Sequence, residues 1–133
     1  MPSINNKVIL FFVFIGLIFL TGTASAQIPD EINTSLKSGN AKTLSDFFNQ
    51  NVELVVPGSD NVYSKAQAQQ IMSDFFSNHQ PQGFTIIHQG GKEGAQYVIG
   101  NLNTKKGTFR VYFLLKKNDG KNFIHQLRIE KQS

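Results

Sequence analysis

The sequence predicts an α+β domain, with helices in its first half and an antiparallel sheet in its second. Three observations lead there. Apolar residues recur at helical spacing in three segments before residue 80. From residue 84 onward they alternate instead, in four runs separated by short glycine-containing loops. No repeat, low-complexity block or Pro/Ser linker divides the chain after Gln27, so residues 27–133 form one domain.

The first 26 residues read as a leader rather than as part of that domain. Lys7 supplies a positive start, residues 8–20 are apolar apart from Gly16, and Ala24-Ser25-Ala26 is an A-x-A cleavage site. The apolar run is short of the ~20 residues a spanning helix needs, so a cleaved secretory signal peptide is expected, with the mature chain starting at Gln27. Export to the periplasm or the medium follows. Loss of Lys7 with the leader lowers the formal charge from +4 to +3. The basic pairs Lys105-Lys106 and Lys116-Lys117 sit at turns, where solvated loop ends account for them, so nucleic acid is not an expected partner. Without a cysteine, the chain has neither disulfide nor thiol for lipid attachment, and no membrane anchor is expected after cleavage.

Ile28, Ile32 and Leu36 fall four apart, with Pro29 at the start and Gly39 at the end of a short amphipathic helix. Asn40 caps a second, whose apolar positions Ala41, Leu44, Phe47 and Phe48 run up to a stop at Asn49-Gln50-Asn51. "VELVV", residues 52–56, and Val62-Tyr63 flank the turn residues 57–61 and predict a short strand pair. Ser64-Lys65-Ala66-Gln67 has the form of a capping box, followed by Ala68, Ile71, Met72, Phe75 and Phe76 on one stripe, which predicts a helix over 64–78. Four strands follow, at 84–89, 95–103, 108–117 and 121–130, forming an antiparallel meander.

Facing within the meander depends on the last hairpin, because a slip of one residue inverts every side chain. A three-residue loop, 118–120, pairs Leu115 with Phe123, Phe113 with His125, Val111 with Leu127 and Phe109 with Ile129. A two-residue turn at Asp119-Gly120 puts Arg128 and Glu130 on the phenylalanine face, at a cost of several kcal/mol if they are buried unpaired. The three-residue loop is therefore expected, although a β-bulge in the last strand would reverse His125. On this register Phe84, Ile86, His88, Gln96, Val98, Gly100 and Leu102 join Phe113 on the inner face. Tyr97, Ile99, Tyr112 and Leu114 share the outer one with Asn101, Arg110 and Arg128. That face is apolar at its centre, which predicts a partner surface.

His88 and His125 then lie roughly 14 Å apart at ~4.8 Å per strand, too far to share a metal. His79 has no H-x-x-x-H or H-E-x-x-H companion, and no zinc spacing occurs, so neither metal nor cofactor is expected.

"FFNQNVELVVPGSDNVYSKAQAQQIMSDFFSNH", residues 47–79, resembles the front half of nuclear-transport-factor-two-like proteins, the superfamily of ketosteroid isomerases and SnoaL-type polyketide cyclases. "IHQLRIE" near the end resembles that family's last strand. Together with the exported, cysteine-free start, the chain is most similar to a group of secreted bacterial proteins classed only as a domain of unknown function. The resemblance implies a cystatin-like cone: a curved antiparallel sheet, made of the strand pair and the meander, wrapped around three N-terminal helices. It also implies a pocket at the open end and homodimers through the outer sheet face. Mapped on this sequence, the pocket would be lined by Tyr63, Phe76, His79, His88, Gln96, Phe113 and His125, and the dimer face by Tyr97, Ile99, Arg110, Tyr112 and Leu114.

Isomerase chemistry needs an inward carboxylate and an oxyanion donor. No acid is placed to point inward, and Asn51 stands just before the first strand where relatives often have Asp, an amide that cannot act as a base. No catalytic residue is assigned. The sequence thus predicts a non-enzymatic module that binds a small apolar or amphipathic ligand in the cone, or a protein on the sheet. Two alternatives stay open: an isomerase- or cyclase-like enzyme with a histidine base, and a structural or assembly protein with a filled pocket.

Overall fold

The structure is a computed structural model and describes residues 28–132. The expected leader, residues 1–26, lies outside the described residues. Helix α1 (Asp30–Ser38) ends where Gly39 takes a left-handed φ of 73°, and α2 (Ala41–Asp46) starts at an Asn40 cap whose side chain accepts from the Thr43 N–H at 3.0 Å. Strands β1 (Phe48–Val56) and β2 (Ser59–Ser64) lead into α3 (Lys65–Asn78). The capping box is formed: Ser64 accepts from the Gln67 N–H, and the Gln67 side chain reaches back to Ser64. The meander consists of β3 (Pro81–Lys92), β4 (Ala95–Thr104), β5 (Gly107–Asn118) and β6 (Lys121–Lys131).

These strands make one six-stranded sheet in the order β2-β1-β6-β5-β4-β3. Neighbours run antiparallel except β1 and β6, which meet in parallel and join the strand pair to the meander. Three helices cover one face, so the fold class expected from the sequence is the one observed. Ile32, Leu36, Leu44, Ala68 and Met72 are fully buried from the helix side. Leu54, Val111, Phe113 and Leu127 meet them from the sheet with no exposure.

The second helix stops earlier than its apolar pattern suggests. Phe48 does not continue α2 but opens β1, where it pairs with Ile124 and is buried, so a distant partner overrides the local helical spacing. The last hairpin also differs from expectation. Its turn has two residues, Asp119 (φ 53°) and Gly120 (φ 78°), both in the left-handed region that such a turn demands, and Asn118 pairs with Lys121.

That turn would place Arg128 inside, but a bulge intervenes. Leu115 pairs with Ile124, then Leu114 pairs with Gln126, so His125 and Gln126 together stand opposite one residue. Beyond the bulge Phe113 faces Leu127 and Val111 faces Ile129, not the expected Phe113–His125 and Val111–Leu127 pairs. Because Ile124 and Leu127 are both buried, the two residues between them lie on the outer side. His125 is therefore not an inner-face residue. A second bulge, at Ile87, does the same to His88: Ile86 pairs with Gly100 but His88 with Ile99. His88 moves to the outer face too.

Candidate functional site

The inner side of the sheet is a packed core. Phe113, expected to line a pocket, has no exposure, and Phe76 is 5% exposed. Phe75 crosses Phe109 edge to face at 5.2 Å, closing the space between α3 and β5. Among the described residues the buried polar ones are Ser35, Ser45 and Thr104, with no carboxylate or imidazole group.

The seven expected pocket residues do not converge. Tyr63, on β2, packs half-buried against the core. His79 caps α3: its backbone N–H donates to the Phe75 carbonyl at 2.8 Å and its Nδ1 lies 3.1 Å from the same oxygen. Since a carbonyl only accepts, Nδ1 carries the proton. The ring stacks on Phe75 at 4.6 Å, which makes His79 an end-piece of the aromatic core. Gln96 borders a cleft of about 160 Å³ beside Ile28 and Gly91, and Phe76 touches another of about 730 Å³ at the α1–α2 corner. The His125 Nε2 is buried without a hydrogen-bond partner. Burial, and secondarily the Lys116 ammonium, lowers its pKa below the ordinary value of 6.5.

The outer face brings its residues together. Tyr97 pairs with Leu114, Ile99 with Tyr112 and Asn101 with Arg110, so all five expected dimer-face residues share one surface of β4 and β5. The tyrosine rings stack at 6.3 Å with 26° between planes. Tyr97, Ile99, Tyr112 and Leu114 are half-buried and Arg110 is exposed. Arg110 donates from Nε to the Asn101 carboxamide oxygen at 3.2 Å.

Three features of this face were not read from the sequence. His88 Nε2 sits 3.0 Å from the Tyr97 hydroxyl, extending the aromatic patch onto β3. Gly90 makes room for it: a Cβ there would stand 2.8 Å from that hydroxyl oxygen. On the other flank, Gln126 donates to Glu53 at 2.7 Å, and Arg128 donates to Glu130 at 2.9 Å. The bond to Glu130, with Asp60 and Glu53 nearby, raises the Arg128 pKa further. The alternation of Glu53 with Val52 and Leu54 was the available signal for the acidic flank. The bulge that carries His88 outward left none. No cluster of three His, Cys, Asp or Glu that could hold a metal occurs among the described residues.

Helices on one side of a curved open sheet, whose strand pair joins the meander through a parallel β1–β6 contact, make a nuclear-transport-factor-two-like fold. A protein of that class and of unknown function from Cytophaga hutchinsonii superposes with a TM-score of 0.55 at 14% identity, over 80% of this chain and 93% of that one, and so shares the fold. More particularly, residues 29–130 match the family model described as "Domain of unknown function (DUF4783)", and the chain belongs to that family. The crystal structure of a family protein from Bacteroides ovatus is 37% identical, with a TM-score of 0.76 over 80% of this chain and 96% of that one. One from Bacteroides uniformis is 34% identical, again with a TM-score of 0.76, over 80% and 99%. No curated protein matches the chain.

Proposed function

We propose that this is an exported, non-enzymatic binding module that works through the outer face of its sheet, and that a second copy of the chain docks there as a homodimer. One observation carries the reading. The apolar patch of Tyr97, Ile99, Tyr112 and Leu114 lies on the side opposite the helices, with guanidinium groups at Arg110 and Arg128 and carboxylates at Glu53 and Asp60 around it. A two-fold contact requires a self-complementary surface, and an apolar centre flanked by both signs of charge meets that requirement. The packed interior favours this face over the cone as the working surface. It also weighs against a histidine base, since His88 and His125 lie outside and no carboxylate is buried among the described residues. Export rests on the leader in residues 1–26.

Sedimentation equilibrium tests the docking. The protein is expected to run as a dimer at micromolar concentration, and Tyr112→Lys as a monomer with an unchanged circular dichroism spectrum. A monomeric wild-type protein overturns the proposal. N-terminal sequencing of the exported product tests the leader, with Gln27 expected first.

A further inference from the structure

The parallel β1–β6 ladder is interrupted near its start. Phe48 pairs with Ile124 and Glu53 with Gln126, so β1 carries three more residues than β6 between the same two rungs. Residues 49–51 arch off the ladder, and the opening is a cleft of roughly 630 Å³, closed on the far side by the β5–β6 hairpin tip and by Lys65 at the start of α3. This volume falls within the ~300–1,000 Å³ of small-ligand sites.

The lining has a particular chemistry. Asn49, Gln50, Asn51 and Asn118 present four carboxamides, and the only hydrogen bond these side chains make among the described residues is Asn49 Nδ2 to the Asn51 carbonyl at 3.1 Å. Lys65 and Lys121 present ammonium groups against the single carboxylate of Asp119, and none of the three is in an ion pair among the described residues. Phe123, half-buried, makes the floor, with the buried Phe48 beneath it. A carboxamide offers a donor and an acceptor in one plane, which suits neighbouring hydroxyl groups. An aromatic floor suits the C–H face of a sugar ring, and the excess ammonium suits one negative charge. An amide cannot lift a proton, so Asn51 fits binding rather than turnover.

We propose that this cleft binds an acidic saccharide, a sugar ring carrying a carboxylate. The site is independent of the outer face.

Titration of the purified protein with glucuronate, glucose and inorganic phosphate, followed by amide chemical-shift mapping, tests it. Glucuronate is expected to give saturable shifts at residues 49–51 and 118–123, with glucose moving the same set more weakly. Phosphate is expected to bind least. Lys65→Gln and Lys121→Gln are each expected to weaken glucuronate by about fivefold and glucose by clearly less. Phosphate binding as well as glucuronate would reduce the site to a patch of charge and overturn the proposal. Shifts elsewhere, or none with either sugar, would overturn it too. If a lysine variant fails to fold, the three wild-type titrations still decide.

Discussion

Two single-residue deletions in β6, three positions apart, are expected to have opposite outcomes. Removing His125 takes out the extra residue of the bulge: Gln126 then stands alone opposite Leu114, while Ile124, Leu127 and Ile129 keep their inward places. It also removes an imidazole whose Nε2 is buried without a partner, a defect that costs about 1–3 kcal/mol where it occurs. The arch in β1 takes up the lost step. The deletion is therefore expected to change stability by less than about 2 kcal/mol. Removing Arg128 instead pulls Ile129, 1% exposed, to the outer side, losing about 1.5–3 kcal/mol of burial. It also brings Glu130 against the fully buried Val111, at several kcal/mol more. Together these approach the ~5–15 kcal/mol that holds a domain of this size folded. Urea unfolding followed by circular dichroism measures both. Loss of the cooperative transition on deleting His125, or a near-normal midpoint on deleting Arg128, would refute the view that the bulge restores the facing of the last strand.

The lowered pKa of His125 makes stability depend on pH. The unfolded chain takes up its proton first, so stability is full above 6.5 and falls as pH drops from there toward the folded value. His125→Gln is expected to flatten that part of a pH series of thermal midpoints. Gly100→Ala places a Cβ 2.6 Å from Phe84 Cζ and 2.7 Å from the Thr85 carbonyl oxygen, and about 1–3 kcal/mol of overpacking is expected in urea unfolding. Ser64→Ala removes the hydroxyl that accepts from the Gln67 N–H, leaving the Ser64 N–H on the Gln67 side chain, and is expected to cost about 1 kcal/mol, measured the same way.

Elements specified by local chemistry were legible in the sequence. The capping box and stripe fixed α3 to within a residue, and alternation located all four strands of the meander. The facing of β4 and β5 was also legible, because that hairpin has no bulge and counting by two holds from end to end. It carries Tyr97, Ile99, Arg110, Tyr112 and Leu114, so the outer patch emerged intact. Facing failed wherever a bulge interrupted the count. Alternation alone disfavours the Asp119-Gly120 turn, which puts Arg128 inside, but the chain keeps the turn and corrects the facing at His125. Nothing near Ile87 or His125 distinguishes a bulged strand from a regular one, since the extra residue is set by what must be buried on either side of it. Two of the three histidines of the expected pocket, His88 and His125, leave it with these bulges. Phe48 was misplaced for a related reason, its strand partner Ile124 lying near the other end of the chain.

The parallel contact between β1 and β6 also has a kinetic meaning. Strand β1 sits beside β6, the last of the six to follow it in the chain, so the middle of the sheet cannot be completed until β6 is available. Until then the early hairpin has one open flank and strands β3–β5 have no ladder joining them to it. A sheet of this design stays in two parts until β6 enters between them, then closes as one unit.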